Sequence, residues 1–570
     1  MSGISDKARF WLGRDPDLST RAEAERMIAA ADEAALTEQF GTRLAFGTAG
    51  LRGLFGAGPN RMNRLVVRET SAGLAAYLLD HVREAGRRGV VIGYDGRRLS
   101  PEFAEDTASV LAGYGIIVHL FDRPVPTPVV AFAVKQYDAA AGVMITASHN
   151  PPEYNGYKVY WENGAQIIPP IDEGIALAID KAAVQEISYR EVAGARRDGL
   201  IRPFSDAQIE DYLQQVAALS VHAGDAEIRA SLAIAYTPMH GVGASITEAA
   251  VKRAGFNALH TAKEQREPDG TFPTVKFPNP EEAGAMDIVL ALAAKVRADV
   301  VFANDPDADR MAVALPLSDG TYRMLTGDQV GVLLGDDLMA SSKMPNGVVA
   351  CSIVSSRMLG FMARSRKIDF FETLTGFKWI ANGAIERRGR GQNFLFGYEE
   401  ALGYTVGELV RDKDGVSAIV AFAEMVAASK ARGETLWARL DALYREHGVF
   451  LTLQKSIGLK PGSASIGDKL RAAPPTVIAG KKVVQTDDLR TSERHTASGI
   501  TAINLPRSDV LTYFLEDDSR VIVRPSGTEP KLKCYYEVRE SVKADETVAT
   551  AEARARVNLS VLATTHGASL

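Results

Sequence analysis

The sequence predicts an α/β fold whose final part is a smaller α+β domain, and three observations support this prediction. The chain has 570 residues, which corresponds to about three or four domains at roughly 150 residues each. In the first two-thirds, a short apolar strand, a polar loop and an apolar helix follow one another repeatedly, as in parallel α/β sheets. The last third contains closely spaced strands separated by turn residues, which indicates a separate α+β module.

The predicted strands are short apolar runs rich in β-branched residues, and a helix follows several of their loops. Strands are expected at residues 90–94, 116–121, 139–145, 232–236, 298–303, 348–354 and 368–372, and helices at 103–112, 244–254 and 357–364. The last third is expected to contain strands at 500–505, 510–515, 520–523 and 532–538 and a helix from about 545. Linkers are expected near 201–205, 317–321 and 446–453, and domains at 1–203, 204–320, 321–448 and 449–570.

The composition argues against several classes of protein. The formal net charge of −6 is small for this length, so we expect neither a nucleic acid nor an anionic membrane as partner. No apolar run is long enough to span a bilayer, and residues 1–14 lack the uninterrupted apolar stretch of a signal peptide. The two cysteines, Cys351 and Cys534, exclude a disulfide scaffold and fit a reducing, cytoplasmic location.

The first candidate site is Thr-Ala-Ser-His-Asn-Pro-Pro-Glu-Tyr-Asn-Gly-Tyr-Lys at residues 146–158. It follows the predicted strand at 139–145, and ligands of parallel sheets gather at the carboxyl ends of the strands. Two prolines after Ser148 and His149 fix the backbone and make the segment a rigid loop. We therefore expect Ser148 to be presented rather than buried, with Lys158 within reach.

The second candidate site contains Asp305, Asp307 and Asp309, followed by Arg310. Three carboxylates at alternate positions can converge on one Mg²⁺ or Ca²⁺ ion, because these cations prefer oxygen ligands. The spacing resembles the start of an EF-hand, but Arg310 and Pro316 stand where that loop needs a glycine and a glutamate. A solvated acidic turn is an equally good interpretation of the motif by itself.

The third candidate site contains Arg524, Ser526, Gly527, Thr528 and Lys533. Glycine lets backbone amides approach an anion, hydroxyls donate hydrogen bonds, and arginine can bind two phosphate oxygens at once. The segment is therefore expected to bind a phosphate group that does not itself react. A polar hairpin is the alternative.

The fourth candidate site contains the paired acids Glu399 and Glu400, among glycines and aromatic residues. They are suited to accept hydrogen bonds from sugar hydroxyls, or they could begin a helix, where acids complement the dipole. Nearby, Lys378 stands between Phe377 and Trp379, where burial could lower its pKa enough for proton transfer. A lone lysine more often extends its ammonium group to the surface.

Two further loops carry candidate residues. Phe46-Gly-Thr-Ala-Gly-Leu-Arg-Gly places glycines around Arg52, whose charge could stabilise a phosphoryl group in transit. His240 precedes the predicted helix at 244–254 and could face a phosphate. A histidine in such a place is more often a structural hydrogen-bonder.

The order of these motifs along the chain, from residue 46 to 533, resembles that of the α-D-phosphohexomutase family, and most closely its phosphoglucomutase-2-like and phosphopentomutase branch. The resemblance implies three similar α/β domains with mixed or parallel sheets and a smaller C-terminal α+β domain around a central cleft. It also implies an Mg²⁺-dependent mutase that acts on a phosphosugar. Such an enzyme transfers the phosphoryl group through a phosphoserine and a bisphosphorylated sugar such as glucose 1,6-bisphosphate.

The resemblance further implies roles for the residues at the matching positions. Ser148 would carry the phosphoryl group and, with Asp305, Asp307 and Asp309, hold Mg²⁺. The residues that would act in catalysis are Arg52, His149, Lys158, Arg310 and Lys378. The residues that would bind substrate are Glu399, Glu400, Arg524, Ser526, Gly527, Thr528 and Lys533, and His240 is a further candidate.

The expected reaction is the conversion of glucose 1-phosphate to glucose 6-phosphate, with mannose 1-phosphate as a further substrate and a monomer or dimer as the active form. Residues 398–401 read Tyr-Glu-Glu-Ala, whereas hexose-specific members carry Gly-Glu-Glu-Ser or Gly-Glu-Met-Ser. A sugar-facing hydroxyl is thereby lost, so a phosphopentomutase acting on ribose or deoxyribose 1-phosphate is the alternative. A phosphatase is a further alternative, but it would need a group that activates water. A non-catalytic homologue would have lost Ser148 or one of the three aspartates, and all four residues are present.

Overall fold

The structure, a computed structural model, describes residues 3–47, 50–222, 224, 226–458, 466–525 and 531–570. The chain divides into two compact units. Unit 1 contains Met1–Leu325, Ala384–Glu386 and Leu402–Ala431, and unit 2 contains Thr326–Gly383, Arg387–Ala401 and Arg432–Leu570. The chain therefore returns to unit 1 after it has formed part of unit 2.

The helices are α1 (Gly3–Leu12), α2 (Leu18–Ala29), α3 (Glu33–Phe40), α4 (Arg64–His81), α5 (Ala85–Arg88), α6 (Ser100–Gly113), α7 (Thr127–Gln136), α8 (Ile171–Ala182), α9 (Val192–Arg197), α10 (Asp206–Ala218), α11 (Ala226–Ser231), α12 (Ala244–Arg253), α13 (Asp287–Val296), α14 (Gly327–Ser341), α15 (Met358–Ser365), α16 (Phe377–Arg388), α17 (Gly415–Ala431), α18 (Leu436–His447), α19 (Ile466–Ala472) and α20 (Val548–Ser569), with a short 3₁₀ helix at Lys263–Gln265. Within the described part of the chain, none of these helices is long and apolar enough to cross a lipid bilayer.

The strands are β1 (Leu51–Leu54), β2 (Val90–Tyr94), β3 (Val118–Phe121), β4 (Ala141–Ile145), β5 (Tyr154–Trp161), β6 (Ile201–Phe204), β7 (Ile234–Thr237), β8 (Leu259–Thr261), β9 (Val300–Ala303), β10 (Ala312–Pro316), β11 (Tyr322–Met324), β12 (Gly347–Ser352), β13 (Asp369–Thr373), β14 (Asn393–Glu399), β15 (Gly403–Val406), β16 (Val449–Gly458), β17 (Val477–Ile478), β18 (Lys481–Asp488), β19 (Glu493–Thr496), β20 (Gly499–Ala502), β21 (Leu511–Leu515), β22 (Arg520–Pro525) and β23 (Lys531–Glu540).

The first sheet of unit 1 has the strand order β1-β5-β4-β2-β3-β6. Strands β4, β2, β3 and β6 run parallel, whereas β5 runs antiparallel to β4 and to β1. All five residues of β4 are buried, as expected for a parallel strand covered by helices. Because β2 and β4 are parallel neighbours, the loops that follow them lie side by side at one edge of the sheet.

The second sheet of unit 1 has the order β11-β10-β9-β7-β8, in which β7 pairs in parallel with both β8 and β9. The loops after β7 and β9 are therefore also neighbours. They approach so closely that a Cβ atom at Gly241 would lie 2.4 Å from the Cα of Pro306. Glycine is thus required at position 241, and the loop after β7 supports the loop after β9 that carries the three aspartates.

The returning segment of unit 1, Leu402–Ala431, contains β15 and α17. It is tied to the first sheet by the hydroxyl of Tyr160, which donates a 2.7 Å hydrogen bond to Asp412. It is tied to α10 by Tyr212, whose hydroxyl donates a 2.8 Å hydrogen bond to Asp414. Residues of the predicted domain 321–448 therefore lie in both units.

Unit 2 begins at Thr326, which caps α14 in a capping box with Gln329. Strand β12 pairs in parallel with β13 and β14. The C-terminal sheet is antiparallel, with the order β16-β23-β22-β21-β18-β19-β20 and β17 paired to β18. Buried Glu537 of β23 accepts hydrogen bonds from Arg520 (2.6 Å) and from Arg357 (2.9 Å), which fastens the C-terminal sheet to the start of α15.

The α/β prediction is confirmed, and each predicted strand and helix overlaps an observed element. The residues of the three predicted linkers lie in or beside regular elements. Residues 201–205 contain β6, where Pro203 is tolerated because β6 is an edge strand. Residues 317–321 form the turn of the β10–β11 hairpin, with Gly320 at a φ of +82°, and residues 446–453 contain the end of α18 and the start of β16.

Buried His566 in α20 is expected to make the stability of unit 2 depend on pH. Its Nδ1 lies 3.0 Å from the Tyr536 hydroxyl, and burial lowers its pKa to about 4, from an ordinary value of 6.5. Between these values the unfolded state binds more protons, so stability is complete above pH 6.5 and decreases as the pH falls toward 4. From pH 7 to pH 5, this group should cost about 2 kcal/mol of unfolding free energy.

The measurement is urea unfolding at both pH values for the wild type, His566→Gln and His495→Gln. His495 is exposed on β19 and serves as the control. The His566→Gln variant should lose less stability between pH 7 and pH 5 than the other two proteins. An equal loss in all three would contradict the prediction.

Candidate active site

Ser148 lies in the loop after β4, at the carboxyl edge of the first sheet. Its Oγ donates a 2.8 Å hydrogen bond to Asp305 Oδ2 and lies 3.2 Å from His149 Nδ1. The residue is only 4% exposed, so the expectation that Ser148 is presented rather than buried is wrong. The loop after β9 of the second sheet covers it, and the pattern around Ser148 alone does not reveal that cover.

The three aspartates of the loop after β9 lie together and are all buried, with one oxygen of each within 4.8 Å of the others. Among the residues that the structure describes, Asp307 Oδ1 and Asp309 Oδ1 accept no hydrogen bond. Buried carboxylate oxygens are costly unless they are paired or coordinate a metal ion. The donor set therefore fits a hard divalent cation, and the interpretation as a solvated acidic turn is wrong.

Three cationic side chains balance the formal charge of the aspartates. Lys158 Nζ lies 2.7 Å from Asp307 Oδ2 and 3.0 Å from Asp309 Oδ2. Lys413 Nζ lies 3.1 Å from Asp309 Oδ2, and Arg310 Nε lies 3.9 Å from Asp305 Oδ2. A divalent cation would therefore add positive charge at the place where a phosphoryl group on Ser148 would bring negative charge.

The neighbouring charges divide the aspartates into two kinds. Burial raises the pKa of Asp305 well above its ordinary value, and the charges of Asp307 and Asp309 raise it further. Burial also acts to raise the pKa values of Asp307 and Asp309, but Lys158 and its neighbours outweigh this effect and lower both. Asp305 is thus the aspartate whose ionised form is least compensated by its surroundings.

His149 is neutral at pH 7, because the charge of Arg310 and burial lower its pKa well below 6.5. Because the hydroxyl proton of Ser148 is donated to Asp305, the neutral imidazole contacts the hydroxyl oxygen as a donor in its Nδ1–H tautomer. The side chain therefore helps to orient the serine.

The structure places the other two loop candidates differently. Arg52 lies in β1 and is exposed, and its Nη1 donates a 3.0 Å hydrogen bond to Asn150 of the serine loop. It therefore borders the site. His240 Nε2 lies 2.8 Å from Thr274 Oγ1, which fits the interpretation of His240 as a structural hydrogen-bonder.

Sequence reasoning missed several residues of this site. Lys413 lies between two aspartates in Asp-Lys-Asp, a charged pattern that could have drawn attention to it. The Asp-Gly-Arg-Arg turn after β2 supplies Asp95 and Arg97, and its place at the carboxyl end of a predicted strand was the signal. Thr127 begins α7 and donates a 2.6 Å hydrogen bond to Asp307 Oδ2, and no pattern in the sequence indicates it.

The acidic candidates of unit 2 follow one another at the end of β14. Glu399 accepts a 2.7 Å hydrogen bond from the backbone N–H of Gly376, and Glu400 accepts one of 3.0 Å from Ser355. Burial, and then the charge of Glu399, raises the pKa of Glu400 to about 7. Because a strand and a turn carry these acids, their interpretation as a helix N-terminus is wrong.

Lys378 lies in the first turn of α16 and is buried. Its Nζ lies 5.1 Å from the centroid of the Trp379 ring. The interpretation as a surface lysine is therefore wrong, and the aromatic surround expected from the sequence is present.

Arg524 and Lys533 are directly opposite each other on the antiparallel pair β22 and β23. Opposed residues project from the same face of a sheet, and like charges at such positions repel. A bound anion would relieve the repulsion. The other members of this candidate site, Ser526, Gly527 and Thr528, lie outside the described residues.

Models of the phosphoglucomutase/phosphomannomutase family match this chain along most of its length. They match as α/β/α domain I at residues 43–186, α/β/α domain II at 210–317, α/β/α domain III at 326–447 and the C-terminal domain at 483–555.

Individual proteins are similar over comparable lengths. A Haemophilus influenzae protein named probable phosphomannomutase is 42% identical over 484 residues, which are 84% of this chain and 93% of that protein. The phosphopentomutase of Homo sapiens is 36% identical over 569 residues, which are 94% of this chain and 92% of that protein. The crystal structure of the Paramecium phosphoglucomutase parafusin has a TM-score of 0.68 at 19% identity, covers 93% of this chain and 96% of its own, and shows the same fold.

A divalent cation is expected to bind at the aspartates and to stabilise unit 1. Bound ligand at about 100 times its Kd stabilises a folded protein by about 2.7 kcal/mol, so Mg²⁺ should raise the melting temperature of the wild type. Asp307→Asn and Asp309→Asn each remove one ligand charge and should abolish the shift. Asp80→Asn, at an exposed position of α4, should retain it.

The measurements are calorimetric titration with Mg²⁺ and thermal unfolding with and without it. Unchanged Mg²⁺ affinity in both Asp307→Asn and Asp309→Asn would contradict the assignment of the cation to these residues.

Proposed function

This chain belongs to the phosphoglucomutase/phosphomannomutase family of mutases, and we propose that it moves a phosphoryl group reversibly between the anomeric and terminal positions of a sugar phosphate. The observation that carries the proposal is the 2.8 Å hydrogen bond from Ser148 to Asp305, beside the open oxygens of Asp307 and Asp309. A serine hydroxyl in such a place can hold a phosphoryl group as an ester.

In the transfer step, a sugar hydroxyl attacks the phosphorus of phosphorylated Ser148, a P–O bond to the sugar forms, and the P–Oγ bond breaks. The attacking hydroxyl gives up one proton and the leaving Oγ of Ser148 takes up one, so that the serine returns to its hydroxyl form. Mg²⁺ held by Ser148, Asp305, Asp307 and Asp309 would supply positive charge that stabilises the phosphoryl group in transit. Arg310 and Arg52 contribute further positive charge from the chain itself. The returning step transfers the second phosphoryl group of the sugar bisphosphate back to the serine.

The two lysines of the proposal have different roles. Burial acts to lower the pKa of Lys158, but Asp307 and Asp309 outweigh it and raise the pKa. Lys158 therefore stays protonated and acts by its charge. Lys378, buried beside Trp379, is the candidate for proton transfer, and Glu400, with a pKa of about 7, can exchange a proton at neutral pH.

Residues of unit 2 would bind the parts of the substrate that do not react. Glu399 and Glu400 would accept hydrogen bonds from the sugar hydroxyls. Arg524 and Lys533, which repel each other across two strands, would bind the distant phosphate together with Ser526, Gly527 and Thr528. In this proposal glucose 1,6-bisphosphate or its cognate is the intermediate.

The proposed substrate is glucose 1-phosphate, with mannose 1-phosphate as a further substrate. The second candidate is ribose or deoxyribose 1-phosphate. It is supported by the similarity to human phosphopentomutase over 94% of this chain and by Ala401, which replaces the serine of hexose-specific members.

Initial rates on glucose 1-phosphate, mannose 1-phosphate and ribose 1-phosphate, with Mg²⁺ and glucose 1,6-bisphosphate, test the proposal. We expect turnover of at least one of them and a loss of at least about a thousand-fold in Ser148→Ala, because the residue that carries the phosphoryl group is removed. Ser231→Ala, at an exposed serine of α11, is the matched control.

The sugar phosphate with the highest initial rate decides between the two candidate substrates. A preference for ribose 1-phosphate would identify a phosphopentomutase and correct the proposed substrate. Full activity of Ser148→Ala, or no turnover of any of the three sugars, would refute the mechanism.

A further inference from the structure

We propose that Asp95 and Arg97 form a positioning pair that holds the backbone of Ser148 in the conformation needed for phosphoryl transfer. This inference rests on the proposed role of Ser148. The backbone of Ser148 has a φ of +53°, in the left-handed region that costs a non-glycine residue on the order of 1 kcal/mol. Such a conformation persists only where the surroundings fix it.

Arg97 holds the serine loop by its carbonyl oxygens. Its Nη2 donates hydrogen bonds to the carbonyl oxygens of Ser148 and of Asn150, the latter at 2.6 Å. Its Nη1 donates to those of Pro151 at 2.9 Å and Tyr154 at 3.2 Å. The planar guanidinium group thus fixes four points of one loop, which the single ammonium of a lysine cannot do in the same geometry.

Asp95 holds the same loop from the other end. It accepts a 2.6 Å hydrogen bond from Thr146 Oγ1, and this oxygen accepts a 2.9 Å hydrogen bond from the backbone N–H of Ser148. Asp95 Oδ2 also lies 3.3 Å from Arg97 Nε. The N–H and the carbonyl oxygen of Ser148 are therefore both connected to the same buried ion pair, and a closed ring of contacts results.

The pair is also connected to the second sheet. The guanidinium carbon of Arg97 lies 5.0 Å from the centroid of the Phe272 ring, and Asp269 of the same loop donates its N–H to the carbonyl oxygen of His240. The His240 loop in turn contacts the aspartate loop, because Val242 donates a 2.8 Å hydrogen bond to the carbonyl oxygen of Pro306. The ring thus aligns Ser148 with the aspartates without touching the reacting atoms.

This role has a specific kinetic consequence. The ring leaves the Oγ of Ser148 free to carry a phosphoryl group while both backbone groups of the residue stay fixed. A displacement of about 1 Å at a reacting group can cost about a hundred-fold in rate. Weakening the ring should therefore slow the transfer step and leave the number of enzyme molecules that carry a phosphoryl group unchanged.

The experiment is single-turnover transfer from Ser148, first phosphorylated with glucose 1,6-bisphosphate, to glucose 1-phosphate or to the sugar that turns over fastest. We expect Arg97→Lys to slow the transfer about a hundred-fold, with the amplitude unchanged and KM within about three-fold. Thr146→Val, which breaks the ring at another point, should slow it in the same way. Arg98→Lys is the matched control, because Arg98 is exposed in the same turn and its guanidinium group lies 5.6 Å from the Phe55 ring.

A second measurement, hydrogen exchange of the peptide that covers residues 146–154, should show faster exchange in Arg97→Lys and Thr146→Val than in Arg98→Lys. A reduced amplitude at an unchanged rate would mean that Arg97 supports only folding and would overturn the positioning role. A transfer rate in Arg97→Lys equal to that of the wild type would also overturn the positioning role. The proposed function would still stand in that case, because the wild-type enzyme would turn over its substrate. Failure of the wild type to take a phosphoryl group on Ser148 would instead refute the proposed function and this role with it.

Discussion

The burial of three carboxylates in one loop is the constraint on which the arrangement of unit 1 depends. Ionised groups cannot be removed from water without compensating charge or metal coordination. The compensation comes from separate parts of the chain: Lys158 from β5, Lys413 from the returning segment and Arg310 from the loop itself. The returning segment packs in unit 1, where Lys413 contacts Asp309 and where Tyr160 and Tyr212 fix the segment by hydrogen bonds.

The two units differ in how their polar groups are balanced. In unit 1 the formal charges of the three aspartates and the three cations cancel, and the serine is enclosed with them. In unit 2 the cations Arg524 and Lys533 oppose each other, and burial raises the pKa of Glu400 to about 7. In the proposed function, the balanced cluster takes part in the transfer, and the opposed cations bind the phosphate that does not react.

The sequence was sufficient for features that depend on local pattern. The apolar strands after which Ser148 and Asp305 stand, the aromatic surround of Lys378 and the α/β class could all be predicted from runs of a few residues. Contacts between distant segments could not: Lys413, Thr127 and Arg97 meet the site through tertiary packing, and Ser148 is buried by a loop more than 150 residues away. Pro203 shows the same limit, because proline is tolerated in an edge strand such as β6 and the sequence alone does not show which strands lie at a sheet edge.

The return of Leu402–Ala431 to unit 1 affects how the chain can fold during its synthesis. The ribosome adds roughly 5–20 residues per second, and the N-terminal domain of a chain generally folds first. Unit 1, however, stays incomplete until Ala431 has left the ribosome. Through that interval the aspartate loop lacks Lys413, and α10 lacks the partner that Tyr212 contacts. The nascent unit 1 therefore exposes a surface that residues 402–431 cover later. During this period a chaperone can bind that surface, or the unit can assemble incorrectly.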